Sequence, residues 1–199
     1  MAEIKLFNKW SSEGIEVTDP GLKRYISLPS IIVPRTGARY AGNRFHKSNI
    51  HIVERLINKL MTTGHRSKKH IITSGHHTGK GLKVAGLVQQ ALQIVAEKTK
   101  QNPVAVLVKS IENAAPREEI IAIEYGGARY PKAVEVAPQR RVDLALRYMT
   151  QSAFQKSFRK KSTTAQSLAD EILGAYNKDM KSAAMSKKNE LERQADSSR

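Results

Sequence analysis

Apolar side chains recur at three- and four-residue steps through most of the chain from residue 50 to residue 176. This spacing places them along one face of a helix, because an α-helix turns once every 3.6 residues. The stripes are Ile50, Val53, Leu56, Ile57, Leu60 and Met61; Val84, Leu87, Val88, Ala91, Leu92 and Val95; Val104, Leu107, Val108 and Ile111; Val142, Ala145, Met149 and Ala153; and Leu168, Ile172, Ala175 and Tyr176. The pattern predicts a mainly α-helical protein.

Residues that favour helix ends stand beside three of these stripes. Ser48 precedes the first stripe as an N-cap, and Gly64 follows it as a left-handed C-terminal cap. Asn102 and Pro103 begin the third helix, since an asparagine side chain caps free N–H groups and proline suits the first turn. The stretch 163–166, Thr-Thr-Ala-Gln, is a capping-box pattern that begins the fifth helix.

The helical period is interrupted once, over residues 118–136, where apolar and β-branched residues alternate in steps of two. Gly126 and Gly127 separate the two halves and can adopt the positive φ angles of a tight hairpin turn. Pro131 has no N–H to donate, so its strand is predicted to be an edge strand or to carry a bulge. The segment predicts a β-hairpin that protrudes from the helices.

These patterns divide the chain into three parts. Residues 1–47 show no sustained period and predict an N-terminal arm, while 48–177 predict a helical domain that contains the hairpin at 117–137. Residues 178–199 predict a C-terminal tail that is helical or frayed, and 64–81 read as a loop by composition. The expected fold is a mainly α bundle of five to six helices with one protruding β-hairpin and an extended arm.

Positive charge is the strongest functional signal. The chain has 34 Lys and Arg against 18 Asp and Glu, a formal net charge of +16. Between Pro20 and Ala96 the sequence has thirteen Lys and Arg residues and a single acidic residue, Glu54. A second basic concentration spans 140–161 and is opposed only by Asp143. Such a charge predicts a polyanionic partner, either nucleic acid or an anionic membrane surface. The near-absence of acidic residues over so long a stretch favours nucleic acid.

Several other classes of protein are excluded or disfavoured. The absence of cysteine excludes disulfides, thiolate zinc sites and a cysteine nucleophile. No apolar run approaches the length of a membrane span, which is about 18 residues or more. The first ten residues lack the layout of a secretory signal, so we expect a cytoplasmic protein with no membrane partner.

The loop at 75–81 superficially resembles a phosphate-binding loop. Its glycine spacing is one residue short, and glycine follows Lys80 where the motif needs Ser or Thr, so nucleotide hydrolysis is disfavoured. The histidines of this region lack cysteine or carboxylate companions for a metal site. They are His65, His70, His76 and His77.

The adjacent acid pairs are interpreted as solvated charges on exposed segments. They are Glu118-Glu119 and Asp170-Glu171. The sequence therefore predicts no catalytic residue, no metal, no cofactor and no small-molecule substrate.

The predicted tip of the hairpin mixes aromatic rings and cations around the two glycines. The residues are Tyr125, Arg129, Tyr130 and Lys132. Unpaired bases stack on aromatic rings for about 1–3 kcal/mol each, with cations holding the RNA backbone. The two tyrosines are equally well interpreted as a cross-strand pair that supports the hairpin. Both interpretations stay open.

A series of motifs in the second half of the chain resembles the family of the seventh protein of the small ribosomal subunit. They are NAAP at 113–116, YGG at 125–127, VEV at 134–136, PQRR at 138–141 and LALRY at 144–148. IKLF at 4–7 followed by Lys9-Trp10 is similar to the archaeal and eukaryotic branch. The resemblance covers nearly the whole chain.

The resemblance implies a structural protein that binds the 3′ major domain of small-subunit (16S) rRNA and nucleates assembly of the subunit head. It implies a hairpin that reaches toward messenger RNA and exit-site tRNA at the subunit interface, and neighbouring head and platform proteins as further partners. The residues expected to contact RNA are Arg35, Arg39, Arg44, Lys47, Arg66, Lys68, Lys69, Lys80, Lys83, Tyr125, Arg129, Tyr130, Lys132, Arg140, Arg141, Arg147, Lys156, Arg159, Lys160 and Lys161.

Two other functions remain as alternatives. A helix-turn-helix DNA-binding regulator would use one of the short basic helices in a major groove, but the bases here are spread over arm, loop, hairpin and helices. An RNA-processing enzyme would need acid, base or metal-binding groups that converge, for which His76 and His77 are the available candidates.

Overall fold

Helices and short β-ribbons alternate along the chain. The computed structural model describes residues 4–39, 41–66, 69–70 and 76–199. In chain order they form β1 (Lys5–Leu6), β2 (Trp10–Ser11), α1 (His46–Asn49), α2 (Ile52–Leu60), β3 (His65–Arg66), β4 (Lys69–His70), α3 (Gly81–Thr99), α4 (Pro103–Ala114), β5 (Glu118–Tyr125), β6 (Ala128–Glu135), α5 (Pro138–Ser157), α6 (Thr164–Tyr176) and α7 (Ala183–Ser197). The predicted mainly helical fold with a β-hairpin is confirmed.

The core is formed by the apolar faces of the helices. α6 packs against α3, α4 and α5, and α2 packs against α3 and α5. Leu92, Leu107, Leu146, Leu168 and Ile172 are fully buried at these contacts. Burial of such side chains stabilises the fold by about 1.5–3 kcal/mol each, which is why the striped sequence forms a bundle.

Two of the predicted helix starts are confirmed. Asn102 Oδ1 accepts from the N–H of Val104 at 3.0 Å, and Pro103 occupies the first turn of α4. Thr163 and Gln166 form a capping box at α6, in which each side chain accepts from the other residue's backbone N–H at 3.2 and 3.1 Å. These local signals define helix ends without help from the rest of the fold.

The predicted N-cap at Ser48 is wrong. Ser48 lies buried inside the four-residue helix α1, and the cap of α2 is His51, whose Nδ1 accepts from the N–H of Val53 at 3.1 Å. The chain turns between α1 and α2, so the two helices need separate starts. Histidine is an unusual cap, which is why residue preference alone pointed to the serine.

The predicted C-terminal cap at Gly64 is also wrong. α2 ends at Leu60, and the capping residue Met61 has a right-handed conformation. The hydroxyls of Thr62 and Thr63 donate to the carbonyls of the last turn, at 3.0 and 3.1 Å. Side-chain donors therefore satisfy this helix end, and no left-handed glycine is needed.

The N-terminal segment is part of the core. Leu6, Leu22 and Ile26 are buried among the helices, although the sequence predicts only an arm here. The N–H of Ile52 donates to the carbonyl of Ser27 at 3.1 Å, which ties the segment to the start of α2. The segment lacks a regular period because it contacts the bundle at a few separate points.

The β5–β6 hairpin has the predicted turn. Gly126 and Gly127 have φ angles of 57° and 83°, values that side-chain-bearing residues rarely adopt. Pro131 lies opposite Ala122 in this two-stranded ribbon, so both strands are edges and the missing N–H is tolerated. The hairpin contacts α7, and its tip projects away from the core.

The region 64–81 is not a loop throughout. β3 and β4 form a short antiparallel pair in which His65 faces His70 and Arg66 faces Lys69. The sequence did not predict these two strands, because a pair this short carries too few residues to show a period of two, and the last residue of the predicted loop, Gly81, begins α3. Residues 67–68 and 71–75 lie outside the described residues.

The C-terminal segment forms α7, which contacts α5, α6 and the hairpin. Ala184, Met185 and Ala195 are buried on its inner face. Among the helices of the described residues, none is long and apolar enough to cross a membrane.

Candidate nucleic-acid interface

Six of the predicted RNA-contacting residues gather on one face of the molecule. They are Arg35, Arg39, Arg44, Lys47, Arg140 and Arg147, here called the cationic face. Lys47 lines two adjoining cavities, of about 500 and 370 Å³. Arg35 lines the larger cavity, and Arg140 and Arg147 line the smaller one. Arg39 shares a third depression, of about 420 Å³, with Arg35. These grooves beside cations suit a folded RNA backbone.

A single carboxylate organises the cations at the centre of this face. Asp143 lies 3.4 Å from Lys47 Nζ, 3.3 Å from Arg55 Nη2 and 3.9 Å from Lys59 Nζ. Burial raises the pKa of Asp143, but Lys59, Arg55 and Lys47 outweigh burial and hold this pKa below its ordinary value. Three cations around one anion leave a local excess of positive charge for an outside anion.

Two aromatic residues on this face were missed by the sequence analysis. Tyr25 and Phe45 line the smaller cavity beside Arg147. The guanidinium of Arg44 lies 5.1 Å from the ring centre of Phe45, whose side chain is 53% exposed. A phenylalanine flanked by basic residues, in the stretch Arg-Phe-His-Lys, was the sequence signal that could have identified Phe45.

The adjacent arginines of α5 have different surroundings. Arg140 Nε and Nη2 both donate to the carboxylate of Glu119 at 2.8 Å, and the Arg140 side chain remains 53% exposed. Arg141 is only 12% exposed; its Nη2 donates to Asp19 at 2.9 Å and its Nε donates to the carbonyl of Pro116 at 3.2 Å. Arg141 thus joins the N-terminal segment to the base of the hairpin.

A second basic cluster surrounds the end of α5. His77 packs edge-on against Phe154 with ring centres 5.5 Å apart, which brings the segment before α3 close to the end of α5. Phe158 stacks on Phe154, and Arg159 lies over the ring of Phe158 at 5.3 Å. The predicted residues of this cluster are Lys80, Lys83, Lys156, Arg159, Lys160 and Lys161, all of them exposed.

The interpretation of Asp170-Glu171 as two solvated acids is wrong for the second residue. Glu171 is fully buried and accepts hydrogen bonds from the hydroxyls of Ser152 and Ser182, at 2.9 and 3.0 Å. Lys156 Nζ also donates to this carboxylate. Glu171 lies on the same helical face as Leu168 and Ile172, a position from which its burial could have been predicted.

The tip of the β5–β6 hairpin exposes its aromatic rings. Tyr125 and Tyr130 are 69% and 58% exposed. In the register Tyr125 faces Ala128 and Tyr130 faces Ile123, so the tyrosines are diagonal neighbours on one face and are not directly paired. Both rings therefore have faces open to solvent, with Arg129 and Lys132 exposed nearby.

Three predicted residues fall in or beside the β3–β4 pair. Arg66 and Lys69 lie in β3 and β4, and Lys68 lies outside the described residues. Over the ranges that the structure describes, no group of three or more metal-binding side chains is close enough to hold a metal ion.

A cationic face, a second basic cluster and an aromatic hairpin on a helical bundle are features typical of the class of polyanion-binding structural proteins. Residues 22–199 match the family described as Ribosomal protein S7p/S5e. The chain belongs to this family.

Two curated relatives match almost the whole chain, and both are named small ribosomal subunit protein uS7. The relative from Nanoarchaeum equitans (strain Kin4-M) is 50% identical over 197 residues, which cover 99% of this chain and 100% of the relative. The relative from Methanosphaera stadtmanae is 48% identical over 192 residues, which cover 96% and 97%. The resemblance seen in the sequence is confirmed: the chain is a ribosome-associated, non-enzymatic component of the small subunit.

Proposed function

We propose that this protein binds the 3′ major domain of small-subunit rRNA and nucleates assembly of the subunit head. The observation that carries this proposal is the cationic face, where several arginines line adjoining grooves around Asp143. Binding there releases counterions from the RNA, which supplies affinity, while the rigid helices hold separate RNA segments in register.

The same proposal assigns a role to the hairpin. Tyr125 and Tyr130 stack on unpaired bases of messenger RNA or exit-site tRNA at the subunit interface, and Arg129 and Lys132 contact the phosphates. Exposed rings at a glycine turn support this role. The other partners are neighbouring proteins of the head and platform, and the location is the cytoplasm, on the ribosome.

The proposed RNA contacts fall into three groups. Two groups are the cationic face and the hairpin tip, and the third consists of the second basic cluster together with Arg66, Lys68 and Lys69, which precede Lys80 in the sequence. Arg141 and Lys156 also belong to the proposed set, although each already pairs with a carboxylate, so their contribution to RNA binding combines positioning with contact.

Salt dependence of binding tests the proposal. If about eight phosphates are neutralised, log K for a 3′ major domain fragment falls by roughly 6–7 per tenfold increase in salt. Filter binding between 50 and 300 mM KCl measures this slope. A slope shallower than about 2, or tighter binding to duplex DNA than to the rRNA fragment, contradicts the proposal, and the second result favours a DNA-binding regulator.

A hairpin variant tests the second role. Replacing Tyr125 and Tyr130 with Ala weakens binding to a single-stranded RNA oligomer by about 1–3 kcal/mol for each stacked base. The matched control is Ile121→Ala, on the same face and 41% exposed but not aromatic. Equal effects of the control and the double variant mean that the rings only support the hairpin.

A further inference from the structure

Two phenylalanines one helical turn apart form a stack at the end of α5. Phe154 lies in the last turn of the helix and is 7% exposed, whereas Phe158 follows the last helical residue and is 38% exposed. Their ring centres are 6.3 Å apart, and the ring planes differ by 23°. The stack therefore has a buried inner ring and an outer ring at the surface.

The inner ring is held in place by a residue from another part of the chain. His77, which precedes α3 and is 6% exposed, packs edge-on against Phe154 with ring centres 5.5 Å apart. The backbone N–H of Phe158 also donates to the carbonyl of Phe154 at 3.1 Å. These contacts orient the two rings before any partner arrives, and a preorganised surface loses less conformational entropy on binding.

The outer ring carries a guanidinium. Arg159 Cζ lies 5.3 Å from the ring centre of Phe158, within the range of a cation–π contact. The backbone of Arg159 has a φ angle of 53°, in the left-handed region that side-chain-bearing residues rarely adopt. Unfavourable conformations of this kind cluster at functional sites. Phe154, Phe158 and the Arg159 guanidinium are here called the aromatic stack.

The surroundings of the aromatic stack are cationic. The two segments that meet here, 55–96 and 144–169, contain no acidic residue. Lys80 Nζ donates to the carbonyl of His76 at 3.4 Å, next to His77. Burial and then the charge of Lys83 lower the pKa of His77, which places this lysine nearby as well. The exposed lysines of this region are Lys80, Lys83, Lys160 and Lys161. A ring among cations suits a partner that combines a planar group with negative charge.

We propose that the aromatic stack is a stacking site for one unpaired base of RNA. The base lies on the exposed end formed by Phe158 and the Arg159 guanidinium, since bases stack both on aromatic rings and on guanidinium planes. The phosphates on either side of that nucleotide contact the exposed lysines. Every base has a π face, so the site accepts any of the four bases.

This inference rests on the proposed function, because it adds one nucleotide site to the RNA-binding surface. Single-stranded RNA suits the site better than a protein partner does. An apolar protein surface would have to remove water from the lysines around Phe158, and an acidic peptide would pair with those lysines without using the ring. An unpaired nucleotide uses both, because it has a planar base and a charged phosphate.

The simpler role of Phe158 is to cover the end of the core, and two polyanions separate the two roles. One is a single-stranded oligoadenylate of about eight nucleotides, and the other is inorganic polyphosphate of about eight phosphates, which has no bases. All variants carry Tyr125→Ala and Tyr130→Ala, so that the rings of the hairpin do not contribute. Isothermal titration calorimetry at low salt measures the affinity for each polyanion.

Phe158→Leu keeps an apolar contact with Phe154 and removes the aromatic face. It is expected to bind the RNA about fivefold or more weakly and to bind polyphosphate as before. Arg159→Lys, which keeps the charge and removes the planar group, should show the same pattern. Lys160→Ala is the matched control and should weaken the binding of both polyanions alike. Phe158→Tyr keeps a ring and should keep the RNA affinity.

A fluorescent variant reports stacking directly. Phe158→Trp places an indole at the outer ring, and Trp10→Phe removes the single tryptophan of the chain. The oligoadenylate is expected to quench the indole fluorescence, whereas polyphosphate is expected to leave it nearly unchanged.

Three results overturn the inference: an unchanged RNA affinity in Phe158→Leu, an equal loss of affinity for RNA and polyphosphate in that variant, or equal quenching by the two polyanions. Binding of the wild type to the 3′ major domain fragment is measured in parallel. If that binding is retained while the difference between RNA and polyphosphate is absent, the inference alone fails. If the fragment does not bind, the proposed function fails.

Discussion

His51 shows how a buried polar side chain can replace a standard helix cap. It is 1% exposed; Nδ1 accepts from the N–H of Val53, and Nε2 lies 3.3 Å from the hydroxyl of Ser12. Burial lowers the pKa of His51 to about 4. The ring is therefore neutral in the folded protein at neutral pH, with Nε2 carrying the proton and donating to Ser12.

This pKa makes stability depend on pH. Between pH 6.5 and 4, His51 is protonated in the unfolded chain but not in the folded protein. The contribution of His51 to stability is therefore complete above pH 6.5 and decreases as the pH is lowered. The expected loss from this group by pH 4.5 is about 2.5 kcal/mol. Urea unfolding of His51→Asn, which keeps a capping oxygen, should show a loss smaller by this amount. The control is His46→Asn, at a less buried histidine, which should lose as much unfolding free energy on acidification as the wild type. If His51→Asn loses as much as the wild type, His51 is not the source of the pH dependence.

The two adjacent arginines of α5 should respond differently to truncation. Arg141→Ala breaks the link from Asp19 to Pro116 in a largely buried position and is expected to lower the free energy of unfolding by about 2 kcal/mol. Arg140→Ala removes an exposed pair with Glu119 and should cost less than about 1 kcal/mol. Guanidinium unfolding measures both, and equal losses would mean that burial does not distinguish them. In RNA binding measured below the unfolding transition, Arg140→Ala should have the larger effect.

At the scale of elements, one carboxylate joins three helices. Glu171 of α6 accepts from Ser152 of α5 and from the hydroxyl of Ser182, and the backbone N–H of Ala183 donates to it at 3.1 Å. Glu171 therefore caps the N-terminus of α7 from another helix, where the helix dipole favours a negative charge. Lys156 Nζ, which also donates to Glu171, balances that charge.

Removing this cap should detach α7. Glu171→Ala leaves several donors unpaired and is expected to cost about 3 kcal/mol of unfolding free energy. Backbone amides of α7 should exchange with solvent much faster, while those of α3 and α4 keep their protection, as measured by hydrogen exchange. Glu190→Ala, a partly exposed acid of α7 paired only with Lys187 among the described residues, is the control. Uniform loss of protection in every helix would show that α7 is not a separate unit.

Elements with strong local signals were predictable from the sequence, and those that depend on distant contacts were not. Gly126 and Gly127, the Asn102 cap and the capping box at Thr163 act through neighbouring residues, so their structures follow from local chemistry. Ser48 and Gly64 misled because a side chain from another position satisfied the same backbone groups. In the candidate interface, the basic residues could be recognised from the sequence, whereas the burial of Glu54 could be seen only in the folded structure.

At the scale of the whole molecule, the N-terminal segment is held by the bundle at separate points along its path. Leu6 is fully buried, and Glu112 Oε1 of α4 accepts from the backbone N–H groups of Thr18 and Asp19, at 2.5 and 3.2 Å. The sequence showed only turns and short apolar pieces here. Long-range contacts of this kind leave no periodic pattern, which is why an arm was predicted.

A cavity mutation tests whether this segment contributes to global stability. Leu6→Ala is expected to lower the free energy of unfolding by about 2–5 kcal/mol, because a large side chain leaves the core. Ile4→Ala, two residues away and 47% exposed, should change it by less than about 0.5 kcal/mol. Thermal and urea unfolding provide the comparison. A Leu6→Ala variant as stable as Ile4→Ala would mean that the segment only rests on the surface.

Asp143 has a consequence for when this protein becomes folded. A formal charge of +16 works against compaction before any RNA arrives, and Lys47, Arg55 and Lys59 would repel one another most strongly where they converge. The carboxylate among them acts as a counter-ion supplied by the chain itself. We therefore expect the helices around Asp143 to pack together without a bound polyanion, because the chain itself neutralises the charge repulsion at this point.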